Sequence, residues 1–257
     1  MVSLYKDLTA IFIGSTVLYF IGSNIWSAFY PEQVYISTFV MIILIVLTMV
    51  FLSKIGKKRF AKEVMSHILI CHVNEYLEKL EYRMGKKHGV VKSSYNYLKA
   101  MGYSALGDYD TVFECCKNIT AKSHKTEYYR YMIKYCINND QHSEARRNME
   151  MLKSLASSEK ADIYKRNIEI FLKNSEYRMR IKDGVFEGAE EFYTDLLNSD
   201  NTKTLISKVS YSYALGALLI KKGEPERAQE YLQFSAEKGG DTKYKKSAEQ
   251  LLSELDL

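Results

Sequence analysis

Residues 210–239 read SYSYALGALLIKKGEPERAQEYLQFSAEKG. Leu215, Gly216 and Leu219 belong to one helical stretch, Gly223-Glu224-Pro225 interrupts it, and Ala228, Leu232 and Ser235 line a second helix. A small residue in each helix lets two antiparallel helices approach closely, and Gly223 can take the left-handed conformation that ends the first. The stretch therefore predicts a tight helical hairpin.

Weaker copies of this pattern occupy the preceding hundred or so residues. In YNYLKAMGYSALGDYDTVFECCKNI, residues 95–119, Ala100 and Tyr103 hold the first-helix positions and Gly107-Asp108-Tyr109 the turn, with Val112, Cys116 and Ile119 on the second helix. Asp140-Gln141-His142 takes the next turn, with Ile133 and Cys136 before it and Ala145, Met149 and Leu152 after it. A more divergent unit runs from Asp162 through Asp183-Gly184 to Ala189, Tyr193 and Leu196. Thr242 to Leu257 reads as a capping helix with Tyr244, Ala248, Leu251 and Leu252 inward.

At its small, apolar and turn positions this region, roughly 92–257, resembles the tetratricopeptide repeat (TPR) family, whose period is about 34 residues. Val112 departs from the usual Ala, which loosens that helix crossing. The resemblance implies a right-handed solenoid of helix pairs with a concave groove that grips a peptide or partner helix. Stacked units of this kind, closed by a cap, make one stable body. Asn96, Lys99, Tyr103, Arg130, Lys134 and Lys208 are the residues expected on the concave surface. Most of the twenty-one tyrosines are expected to fill packing positions between helices.

The head of the chain has a different character. Two apolar runs, Leu8–Phe29 and Val34–Leu52, contain no charged side chain, and each is close to the roughly 20 residues that cross a bilayer core as a helix. The fold class expected is therefore all-α, an N-terminal transmembrane hairpin (1–53) followed by a basic juxtamembrane segment and linking helix (54–91) and a TPR-like α-solenoid (92–257). A cleavable signal is the rival reading of the first run, but Ile25-Trp26-Ser27-Ala28 matches a cleavage site poorly. The cations Lys54, Lys57, Lys58, Arg59 and Lys62 follow the second run, which puts both termini in the cytoplasm and those five side chains against anionic headgroups. Residues 1–62 carry +4 of the formal +5, so the remainder is nearly neutral and nucleic acid is not an expected partner. The expected partners are the lipid bilayer, through two transmembrane helices, and a protein or peptide in the groove. Composition rich in Lys, Ile, Asn and Tyr suggests a low-GC bacterium and hence a bacterial cytoplasmic membrane, with a eukaryotic organelle membrane as the alternative.

No catalytic signature accompanies these features. Cys71, Cys115, Cys116 and Cys136 form no C-x-x-C pair and read as small core residues. His67 and Cys71 stand four apart with His72 adjacent, which could begin a zinc site, yet further ligands at family-like spacing are missing and a packed helix face is expected. Walker, Rossmann, G-x-S-x-G and H-E-x-x-H patterns are absent from the sequence. No enzyme activity and no cofactor are expected. The expected function is a membrane-tethered adaptor presenting the solenoid to the cytoplasm, or an accessory subunit of a membrane complex held by its hairpin.

Overall fold

The computed structural model describes residues 43, 46–51, 54–56, 58–85, 90–120, 124–157, 162–199 and 204–255. It divides the chain into a unit of residues 1–60 and a compact unit, Ala61–Leu257. Among the described residues every regular element is helical. A π-helical turn, Ala61–Met65, runs into α1 (Ser66–Leu69). Then come α2 (Val73–Met84), α3 (Val90–Leu106), α4 (Tyr109–Lys117), α5 (Lys125–Asn138), α6 (His142–Ser157), α7 (Asp162–Lys182), α8 (Ala189–Asn198), α9 (Leu205–Lys221), α10 (Pro225–Lys238) and α11 (Lys243–Leu255).

The transmembrane hairpin needs correction. Among the described residues no helix is long and apolar enough to cross a membrane, which overturns the hairpin as part of the fold and, with it, the integral-membrane location. The described part of the second run, Ile43 and residues 46–51, is helical and mostly exposed. The first run, 8–29, lies outside the described residues, as does the rest of 34–52. Of the five basic residues, Lys54, Lys58, Arg59 and Lys62 are exposed and Lys57 lies outside the described residues.

Repetition in the second unit is visible in its turns. Gly107, Asp140, Gly184 and Gly223 each adopt a left-handed conformation after α3, α5, α7 and α9. At each, the next N–H reaches back five residues to a helix carbonyl: Asp108 to Tyr103 (3.0 Å), Gln141 to Cys136 (2.9 Å), Val185 to Arg180 (2.8 Å) and Glu224 to Leu219 (2.9 Å). This satisfies a carbonyl that the helix end would otherwise leave unpaired. A fifth copy occurs where sequence reading places one continuous helix. Cys71 has φ 67° and the His72 N–H donates to the His67 carbonyl at 2.9 Å, so 61–84 is itself a helix pair.

Side-chain size sets how closely each pair packs. Gly216 faces the Leu232 side chain and the Ala228 carbonyl so tightly that an added Cβ would stand 2.8 Å from Leu232. Leu215, Leu218, Leu219, Ala228, Leu232 and Ala248 form the core there, with Leu251 and Leu252 of α11 against them. Ala100 and Val112 meet in the α3–α4 core with Cys115, Cys116 and Tyr131. Helices α7 and α8 stand farther apart, bridged by Tyr177 on Phe192 (ring centroids 5.0 Å) and by the Tyr193 hydroxyl donating to Asn174 at 3.0 Å. Asp108 caps α4, its carboxylate accepting from the Thr111 N–H at 3.0 Å. Asp108→Ala is expected to cost about 1 kcal/mol of stability, read as a lower denaturant midpoint with an unchanged slope.

The unit's two ends meet. The Asp241 N–H donates to the Cys71 carbonyl at 2.9 Å, and the Asn74 N–H donates to Asp241 Oδ2 at 3.1 Å. Lys243, opening α11, lies against Gly107 and bonds the Tyr109 hydroxyl. The first helix of each later pair, α3, α5, α7 and α9, together with α11, thus surrounds a shared interior.

Candidate functional site

Residues about one turn apart on successive first helices, and two at the start of α11, face this interior. On α7 they are Asn167, Phe171, Asn174 and Arg178, on α5 Arg130 and Lys134, on α9 Ser207 and Tyr211, and on α11 Lys243 and Tyr244. At one end a pocket of about 270 Å³ is lined by Arg130, Asn167, Phe171, Asn174, Ser207 and Tyr211, among others. The Arg130 guanidinium donates to the Asn167 carbonyl at 3.2 Å, lies 3.5 Å from Glu127 and covers the Phe171 ring at 5.1 Å. Its Nε is buried without a hydrogen-bond partner.

Deeper in the concavity three cations gather in the neighbourhood of one phenol. Tyr109, nearly buried, has its hydroxyl bonded by the Lys243 ammonium, with the Arg178 guanidinium close enough to feel it. Lys243 also sits over the rings of Tyr109 (4.6 Å) and Tyr244 (5.3 Å). Lys134 donates to Ser104 Oγ at 3.2 Å, lies over Tyr131 at 5.3 Å, and feels the charges of Lys243, Arg130 and Arg178. Each of the three keeps partial exposure although protein surrounds it on most sides, as at the floor of a deep cleft. None forms an ion pair with a carboxylate among the described residues within 4.0 Å.

The electrostatic consequence is direct. Burial, and then the neighbouring cations, push the Lys134 and Lys243 ammonium groups down to about 8, while the guanidinium of Arg178 stays charged at any ordinary pH. Buried charges in proteins are normally paired, so a cluster of one sign is suited to an anionic ligand. Tyrosine rings and hydroxyls around it supply stacking surface and donors.

The residues expected on the groove divide. Arg130 and Lys134 reach the interior together. Asn96 is buried and donates to the Lys92 carbonyl of its own helix at 2.8 Å. Lys99 rests between the rings of Tyr95 (5.8 Å) and Tyr103 (5.7 Å) and faces the Cys115 thiol. Lys208 is exposed while its neighbour Ser207 lines the pocket. Sequence reading missed Arg178, Lys243 and Tyr109. The stripe Asn167, Phe171, Asn174, Arg178, recurring at three- and four-residue steps, is the signal that could have found the first of them.

Outside the interior, Glu190, one of the clustered carboxylates on α8, pairs with Lys222 and Arg227 as an ordinary surface network. Comparison with protein-family models, with curated proteins and with solved structures returns no match for this chain.

Proposed function

We propose that the helical unit is a protein-interaction solenoid of the TPR type, and that its interior cleft holds an acidic, extended segment of a partner protein. The observation that carries this reading is the gathering of Lys134, Arg178 and Lys243 around Tyr109 with no carboxylate ion-paired to them among the described residues. Five equivalent left-handed turns and the small residues at Ala100, Gly216 and Ala228 support the repeat assignment. An extended segment presents one side chain to each first helix in turn. The adjoining pocket, floored by Phe171 and Tyr211 beneath Arg130, suits an aromatic or aliphatic anchor on the same segment.

A fluorescently labelled ten-residue peptide of glutamates with a central Phe is expected to bind the full-length chain, weakening as salt rises. A lysine counterpart is expected not to bind. Arg178→Gln is expected to weaken the acidic peptide about tenfold, the scale of one charge-assisted hydrogen bond. Equal affinity for both peptides, or an Arg178→Gln chain that is folded and binds as wild type, would rule the reading out.

A further inference from the structure

The turn between α1 and α2 assembles a second group of side chains, far from the cleft residues in sequence and independent of the proposed function. His67 Nδ1 lies 3.1 Å from Glu75 Oε2, and His72 Nδ1 lies 3.7 Å from the same oxygen. All three ligand atoms fall within 4.8 Å of one another. A tetrahedral ion with bonds of 2.0–2.1 Å has ligand-to-ligand edges of about 3.3 Å, so two of these separations already bracket that edge.

The group is also electronically incomplete. His67 Nδ1 is buried and makes no hydrogen bond of acceptable geometry, although the carboxylate oxygen is near. An imidazole nitrogen facing a carboxylate needs a cation between the two lone pairs, and a proton or a metal ion fills that place. Glu75 is placed to serve: Lys79, 3.0 Å away on its other oxygen, leaves Oε2 turned toward the two imidazoles. Cys71 is set apart from this group: its fully buried thiol is not among the three ligand atoms that lie together.

The backbone prearranges the donors. Cys71 turns left-handed between the two helices, and the His72 N–H is tied to the His67 carbonyl at 2.9 Å, so the two imidazoles meet across the corner while Glu75 follows one turn into α2. The corner is braced from outside by the Asp241 N–H on the Cys71 carbonyl and by Asp241 Oδ2 on the Asn74 N–H. His67 is nearly covered, at 16 % side-chain exposure, whereas His72 at 56 % and Glu75 at 43 % leave the outer side open to water as a fourth ligand.

We propose that His67, His72 and Glu75 form a binding site for a divalent first-row transition-metal ion, with two imidazoles and one carboxylate suited to zinc. The ion joins α1 to α2 and stiffens the corner on which Asp241 docks, so its presence reports in the stability of the whole helical unit.

Zinc(II) alone, titrated into the full-length chain, is expected to bind one per chain with a Kd of about 10 µM or tighter. At saturation it is expected to raise the unfolding temperature by about 3 °C or more. Glu75→Gln and His72→Ala, both at partly exposed side chains, are expected to weaken zinc at least tenfold and to abolish the thermal shift, as is His67→Ala. Cys71→Ser is expected to retain both. Wild-type affinity no tighter than that of Glu75→Gln and His72→Ala overturns the assignment. So does loss of binding in Cys71→Ser with retention in Glu75→Gln, which places the metal on the thiol instead. If His67→Ala does not fold, the two exposed positions decide.

Discussion

Gly240→Ala is expected to lower the stability of the helical unit by about 3 kcal/mol. Gly240 has φ 54°, and a Cβ there would stand 2.3 Å from the Cys71 carbonyl oxygen. The obstacle is backbone, not the end of a flexible side chain, so it cannot rotate away. Relief requires the 239–242 turn to withdraw, which stretches the bond from the Asp241 N–H to that same carbonyl. The left-handed penalty for an L-residue is about 1–2 kcal/mol, and a lost buried hydrogen bond adds about 1. Thermal unfolding should show a fall of roughly 10 °C. Gly184→Ala serves as the control, because Gly184 is also left-handed but nothing lies within 4 Å of its added Cβ. A drop no larger than the control's would mean that the Cys71–Asp241 contact contributes little.

The second large effect has the opposite sign. Lys134→Gln combined with Lys243→Gln is expected to stabilise the ligand-free protein by on the order of 1–2 kcal/mol for each site, after allowance for their partial exposure to water. The cause is the held-down ammonium groups, whose folded pKa of about 8 lies below the lysine value of 10.5. Below pH 8 both folded and unfolded chains carry these protons and the penalty is full. Between about 8 and 10.5 the folded chain releases them while the unfolded chain keeps them, so the penalty fades as pH rises. The variant's advantage should therefore be greatest at pH 7 and shrink steadily towards pH 10, measured by urea unfolding at each pH. Buried thiols at Cys115, Cys116 and Cys136 and buried phenols at Tyr131 and Tyr193 are pushed up and act oppositely in that range. They are common to both chains and cancel in the difference. The same variant should bind the acidic peptide more weakly, separating a ligand site from a structural prop: a prop would lose stability when removed.

Local chemistry made part of this fold legible. Gly223 and Gly107 announce their turns because glycine is cheap in the left-handed region, and Ala228 opposite Gly216 announces a close helix crossing. Cys71 gives no such signal. Its left-handed corner is held by Asp241, 170 positions along, so a window around residue 71 shows only an unbroken helical stripe. The cleft divides for a similar reason. Arg130 and Lys134 share one helix face and could be read together, whereas Arg178 and Lys243 join them only once three helix pairs have curved round. Lys208 shows how fine the margin is, since one step along a helix rotates a side chain by about 100° and puts Ser207, not Lys208, at the pocket. The membrane hairpin rests on hydropathy and flanking charge, and among the described residues no helix is long and apolar enough to bear it out.

Closure of the helical unit also sets an order of events during synthesis. The Asn74 N–H finds Asp241 across 167 positions, and Tyr109 finds Lys243 across 134. At about 5–20 residues per second the ribosome needs on the order of ten to thirty seconds to deliver those partners after the first helix pair is made. Throughout that interval the middle repeats can stack on their neighbours, but the Cys71 corner waits uncovered and the cleft is an open trough with its three cations not yet assembled. The nascent chain therefore completes the cleft last, when α11 emerges, and a ribosome stalled before residue 241 would display a folded row of helix pairs without the proposed ligand site.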